Sequence, residues 1–188
     1  RLNPRRPKTA RVPVVFDRRV SRMLVAAIAS AVNGAAVTRG TSFLKDRMGE
    51  RVACDAFTII DDPFRERAPA SHPFDGEGIA GAPLTVVEGG VLKSWLLDCR
   101  SARQLGLKST GHAARGAGSA PSPASSNLYL APGTLSRDEL IAKIGTGVLV
   151  DETMGSGVNV VTGDFSQGVA GFWIENGELA FPVSELTI

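Results

Sequence analysis

Histidine and cysteine are scarce in this sequence: His72, His112, Cys54 and Cys99 are the whole supply among 188 residues. No two of them are closely spaced, whereas a hydrolytic zinc site needs about three protein ligands, an open position and a general base. A metal centre built from these four is not expected. No secretory segment accompanies the cysteines, so free buried thiols are favoured over a disulfide, with Cys54 a small core side chain on a strand, and a reducing cytoplasm fits. Long apolar runs are also missing. The longest, Met23 to Val32, is too short to span a bilayer, and nothing resembles a signal peptide.

Motifs for covalent or nucleotide chemistry are absent too. No recognisable base-bearing motif surrounds a serine or cysteine, and the glycine clusters "GAGS" and "GSG" do not lead from a strand into a helix in a phosphate-binding pattern. No catalytic residue is assigned, and no cofactor is expected on the chain. The paired acids Asp61-Asp62, and Asp75 and Glu77 in "FDGEG", read as solvated turns. Acid is missing from the start of the chain, where Arg1, Arg5, Arg6, Lys8 and Arg11 stand among Pro4, Pro7 and Pro13. Such a segment could meet nucleic acid phosphates, but its prolines favour an extended linker, and no basic folded face supports nucleic-acid binding.

What is present is the composition of a globular domain, 43% apolar and 21% charged. From Asp17 the positions Val20, Met23, Leu24, Ala27, Ile28, Ala31 and Val32 follow one helical face, capped by Asp17 and ended by Asn33-Gly34. The opposite face starts with Arg18, Arg19 and Arg22, then turns to Val25, Ala26, Ala29 and Ser30. That substitution of small residues for charge predicts a helix whose second half is covered on both sides, by packing or by a partner. Strands are expected in "RVACDAFTIIDDP", and hairpins around Gly89-Gly90 and Asn176-Gly177, where positive backbone angles are available. Ser136 and Glu139 form a capping-box pattern opening a short helix that Gly145 closes.

The fold class is therefore α+β, mainly antiparallel sheet in a barrel- or sandwich-like arrangement, with one longer N-terminal helix and one or two short ones. Residues 1–13 read as a basic linker and 14–188 as a single domain. The first residue is not methionine and the last falls in a strand pattern, so the expectation is a part of a longer chain. Ser109 to Asn127 is an aperiodic loop rich in glycine, alanine, serine and proline, long enough to be either functional or disordered. Within it His112, Arg115 and Asn127 are the candidates for peptide or partner contact.

The helix, "RGTSFLKDRMGE", "TIIDDP", "FDGEG", "STGHAARG", "PSPASSNLYL" and "GVNVVTGDFSQGVAGFWIENGELAFPVSE", taken in order, resemble the TldD/PmbA family over nearly all the chain after the basic segment. The likeness is to the C-terminal part of its PmbA, or TldE, branch, also known as modulators of DNA gyrase. The resemblance implies a bacterial cytoplasmic peptidase of two subunits, in which a TldD-type subunit holds zinc and a PmbA-type subunit is its partner on peptides or unfolded segments. TldD-type subunits carry His-Glu-x-x-x-His before an Arg-Gly-Thr-Ser segment. Matched on Gly34 and Arg39-Gly40-Thr41-Ser42, those three positions fall on Val25, Ala26 and Ser30, which supply no metal ligand set. A further TldD ligand, a cysteine, belongs to a segment past the end of this sequence. The implied role is a metal-free partner that helps form the peptide cleft, with a homodimer possible in isolation; the alternative is a stand-alone regulator of gyrase or of a toxin-antitoxin system.

Overall fold

The computed structural model describes residues 3–155 and 157–188; Arg1 and Leu2 of the basic segment, and Ser156, lie outside the described residues. The chain runs through β1 (Val14–Phe16), α1 (Arg18–Ala31), α2 (Gly34–Thr38), β2 (Ile59–Asp61), β3 (Leu84–Glu88), β4 (Val91–Leu92) and α3 (Cys99–Gln104). There follow β5 (Ala113–Ala114), β6 (Ser122–Pro123), β7 (Leu128–Leu130), α4 (Arg137–Ile144), β8 (Gly147–Met154), β9 (Gly168–Glu175) and β10 (Glu178–Thr187). The chain divides into two compact units, one of Arg1–Leu24, Gly133–Asn159 and Asp164–Ile188, the other of Val25–Pro132 and Val160–Gly163.

In the first unit, strands lie in the order β1-β8-β9-β10, with β1 parallel to β8 and the other pairs antiparallel. Alternation along β8 explains its continuous apolar run, because successive side chains point to opposite faces. Val148 and Val150 join a cluster with Val20, Val169 and Val183, while Leu149 joins Val15, Ile174 and Ile141 of α4. Both faces are therefore covered. Asn176 and Gly177 turn β9 into β10 with φ of 53° and 78°, the double left-handed turn that matches strand twist. Asp17 accepts from the Arg19 amide at the start of α1, and Ser136 and Glu139 close the capping box of α4. The Ser136 amide bond holds the Glu139 carboxyl below its usual range. Arg5 makes an isolated parallel bridge to Val183, and its guanidinium lies 4.5 Å above the Phe181 ring.

In the second unit, β4-β3-β2-β7 form an antiparallel sheet and β5-β6 a separate pair. Its core holds Ala31, Val32, Val37, Leu44, Ile59, Val86, Val87, Leu92, Leu96 and Leu97. Gly89 and Gly90, with φ of 52° and 78°, make the predicted hairpin. After α1 ends at Ala31, Asn33 does more than stop the helix: its side chain accepts from the Ala35 amide and caps α2. Gly34 is required there, since a Cβ would stand 2.6 Å from Ser101 Oγ and 2.8 Å from Leu96 O.

The α+β class agrees with the expectation from the pattern; neither four-stranded sheet closes into a barrel, and the short helices among the described residues are α2, α3 and α4. One local expectation is corrected, and one open alternative is narrowed. In "RVACDAFTIIDDP" only Ile59–Asp61 is a strand, because Val52 and Ala53 both donate to Gly90 O and wrap the segment around that turn, leaving Cys54 exposed rather than in the core. The Ser109 to Asn127 stretch is ordered by the β5-β6 pair, and Ala113 is held by a carboxylate of Asp75.

Candidate functional site

Along α1, Val25 is half-buried while Ala26 and Ser30 are exposed. Ile28, Ala31 and Val32 turn the other side of the helix to the core, whereas on this face only Val25 and Ala29 are half-buried, so the expected cover on both sides is incomplete among the described residues. Ser30 Oγ donates to Ala26 O at 3.0 Å, a helix-internal bond that occupies the hydroxyl. Valine and alanine offer no lone pair. The residues present here do not fit zinc, which takes imidazole, thiolate or carboxylate donors. Among the described residues no group of three or more His, Cys, Asp or Glu is placed to hold a metal.

The polar chemistry of the second unit gathers elsewhere. Strand alternation turns Asp61 to the same side as Ile59, so the carboxylate is wholly buried at the end of β2 beside Leu128 of β7. This corrects the reading of Asp61 as a solvated turn residue; only Asp62 behaves so, accepting from the Phe64 amide at 2.8 Å. Asp61 Oδ2 accepts from the Ser126 amide at 2.9 Å, Ser126 Oγ bonds to Oδ1, and His112 Nε2 stands 3.4 Å from the same oxygen. His112 is 4% exposed. Its Nδ1 lies 2.7 Å from Thr110 O, and because a carbonyl only accepts, that nitrogen carries a hydrogen.

The trio of serine, histidine and aspartate is not a nucleophile relay. Ser126 Oγ is bonded to the carboxylate, not to the imidazole, whereas an activated serine must touch its base. The network fastens the loop to the sheet. Asn127 does the same one residue on, donating to Asp62 O at 2.8 Å and Ser71 Oγ at 3.0 Å while accepting from the Ala70 amide at 3.1 Å. Asp75, also predicted as a turn, is 5% exposed and accepts from the amides of Glu77, Ile79 and Ala113.

Of the three loop candidates, His112 and Asn127 thus join one polar network through adjacent residues, Asp61 and Asp62. Arg115 does not take part. It is exposed and lines an open cavity of about 430 Å3 with Ser71, His72, Phe74, Gly76 and Ser125. Phe74 is 61% exposed, a large apolar group presented to solvent. Asn127 supports this cavity indirectly, since Ala70 and Ser71, which it binds, form part of its wall. Asp61, Asp75 and Ser126 are the residues that sequence reasoning passed over; the one available signal was the period-two step from Ile59 to Asp61. Cys99 lies beside this region: its thiol is pushed up by a hydrogen bond to Glu77, then by burial, and the Glu77 carboxylate also accepts from its amide at 2.8 Å.

Two open sheets, a long helix with an open small-residue face and a loop bolted down by buried acids make up a domain in which, among the described residues, no metal-binding set is displayed. Residues 9–188 match the family model described as PmbA/TldA metallopeptidase C-terminal domain, and the chain belongs to that family. It is 42% identical over its full length to Metalloprotease PmbA of Escherichia coli O157:H7, and 35% identical over 97% of its length to a metalloprotease of Methanothermobacter thermautotrophicus. The chain spans about 40% of the length of these relatives. Among solved structures, TldE from Thermococcus kodakarensis superposes with a TM-score of 0.83 at 25% identity, over 96% of this chain and 42% of that one. A Thermotoga maritima protein described as a DNA gyrase modulator gives 0.90 at 32%, over 98% and 42%. No helix among the described residues is long and apolar enough to cross a membrane.

Proposed function

We propose that this chain is the C-terminal domain of a PmbA- or TldE-type subunit that works beside a zinc-bearing, TldD-type metallopeptidase subunit in the bacterial cytoplasm. It shapes the cleft for peptides or unfolded segments and leaves the hydrolysis to its partner. The observation that carries this reading is the face of α1: Val25, Ala26 and Ser30 supply no zinc ligand set, yet Ala26 and Ser30 are open to contact. A small, uncharged face lets another backbone approach closely and costs little to desolvate. Arg115 and the exposed Phe74 contribute a cationic and an aromatic contact for peptide at the open cavity, while His112 and Asn127 hold its surroundings in shape. The outer edge of β7, which ends its sheet and carries an exposed Leu130, offers backbone groups to an extended chain, a mode that tolerates many sequences.

Reconstitution tests this. An unstructured peptide should survive incubation with this chain alone and be cleaved when a TldD-type subunit is added; cleavage by the chain alone would overturn the reading. A second reading, a regulator that binds a folded partner without proteolysis, draws on the description of the Thermotoga maritima neighbour. It predicts a stable complex formed in the absence of any TldD-type subunit, which co-purification would detect.

A further inference from the structure

A second cleft in the same unit, about 220 Å3, lies between α2, α3 and β6. Two guanidinium groups, Arg39 and Arg100, line it, and both side chains are exposed without a hydrogen-bond or ion-pair partner among the described residues. Gln104, Thr38 and Ser122 add an amide and two hydroxyls. Asp98 is the single carboxylate in the lining. It is 2% exposed, and its Oδ1 is already bound by the Ser101 amide at 2.7 Å and by Ser101 Oγ at 2.5 Å as the cap of α3. Its cap role satisfies the helix end from within, so the donors that the cleft leaves open to a ligand acceptor are those of the two arginines.

The walls are fixed before any ligand arrives. Asn33 Nδ2 donates to Pro123 O at 2.7 Å, tying the start of α2 to β6, and Gly34 brings α2 so close to Ser101 of α3 that no side chain fits between. Prearranged walls reduce the ordering cost of binding. A cleft this small holds one end group rather than a drug-sized molecule. Guanidinium is the side chain that pairs with carboxylate through two parallel hydrogen bonds.

The geometry points to a carboxylate subsite at Arg39 and Arg100 that takes the free C-terminal end of a peptide. This rests on the reading of the chain as a peptide-binding partner, and it adds a preference for chain ends. Calorimetric titration of this chain with an N-acetylated, unstructured peptide and with the same peptide amidated at its C terminus tests it, without any TldD-type subunit. The free acid should bind about tenfold more tightly than the amide, the scale of one charge-assisted pair. Arg39→Gln with Arg100→Gln should erase that difference while the melting temperature stays put, because neither side chain has a partner to lose. Equal affinity for acid and amide, or a preference that survives the double substitution, would overturn the subsite. So would inorganic phosphate binding at these arginines when the free-acid peptide does not. Binding of both peptides without preference would leave the cleft-forming role standing and remove only the chain-end preference.

Discussion

The α1 face bearing Ala26 and Ser30 and the network around His112 stand in opposite conditions: the first is accessible and chemically inert, the second is rich in acid, imidazole and hydroxyl groups and centred on buried Asp61 and His112, with Ser126 half-buried beside them. Reactive residue types alone are therefore a poor guide to chemistry in this chain. Buried Asp61 and His112 and half-buried Ser126 spend their polarity on one another, and what they gain is a loop held to a sheet. The inert face keeps its surface available. That division suits the shape-supplying role proposed for this chain.

Breaking the closed side of this comparison should give the largest effect. Asp61→Ala removes a buried acceptor and leaves the Ser126 amide and the imidazole without it, a loss of about 3–5 kcal/mol in denaturant unfolding by the measure of broken buried pairs. A much smaller loss would mean that the network is solvated and the contrast with α1 is false. His112→Ala should cost less, about 1–3 kcal/mol, since Ser126 still satisfies the carboxylate while the imidazole contacts to Thr110 O, Thr110 Oγ1 and Asp61 are lost.

Between the two extremes lie the cysteines. The hydrogen bond that the Cys99 thiol donates to Glu77 raises the thiol, so at a given mildly alkaline pH less thiolate is present and its alkylation should begin at higher pH than for an ordinary cysteine. Exposed Cys54 should react first, and Glu77→Gln should bring the Cys99 profile down in pH. Mass spectrometry of the alkylated chain resolves the two sites.

The smallest effect is expected on the open side. Ala26→Glu and Ser30→His, made singly, should change unfolding free energy by no more than about 0.5 kcal/mol, the usual range for exposed positions. A large loss from either would show that the face is packed within the chain after all.

How far this contrast could be read in advance varies with its cause. The hairpins at Gly89-Gly90 and Asn176-Gly177, the capped α4 and the start of α1 were legible because turn chemistry, capping and period 3.6 are local properties. The identity of Val25, Ala26 and Ser30 was legible too, as an absence of donors. Their exposure was not, because burial depends on what the rest of the chain brings near. Asp61 and Asp75 looked like turn acids since both precede proline- or glycine-rich stretches; what buries them are Ser126 and Ala113, distant in sequence. His112 and Asn127 were picked for their chemistry and turned out to be fasteners, while Arg115 kept an exposed place at a cavity. The strand expected around Cys54 failed for a comparable reason, because Gly90 from another hairpin captured the amides of Val52 and Ala53.

The central claim is that the helix face aligned with a zinc motif in TldD-type subunits holds no metal here and serves contact instead. Elemental analysis of the purified chain, equilibrated with zinc and then dialysed free of excess, tests it most directly. The account predicts far less than one zinc per chain, unchanged by Ser30→Ala. One tightly held zinc per chain, lost on that substitution, would contradict it.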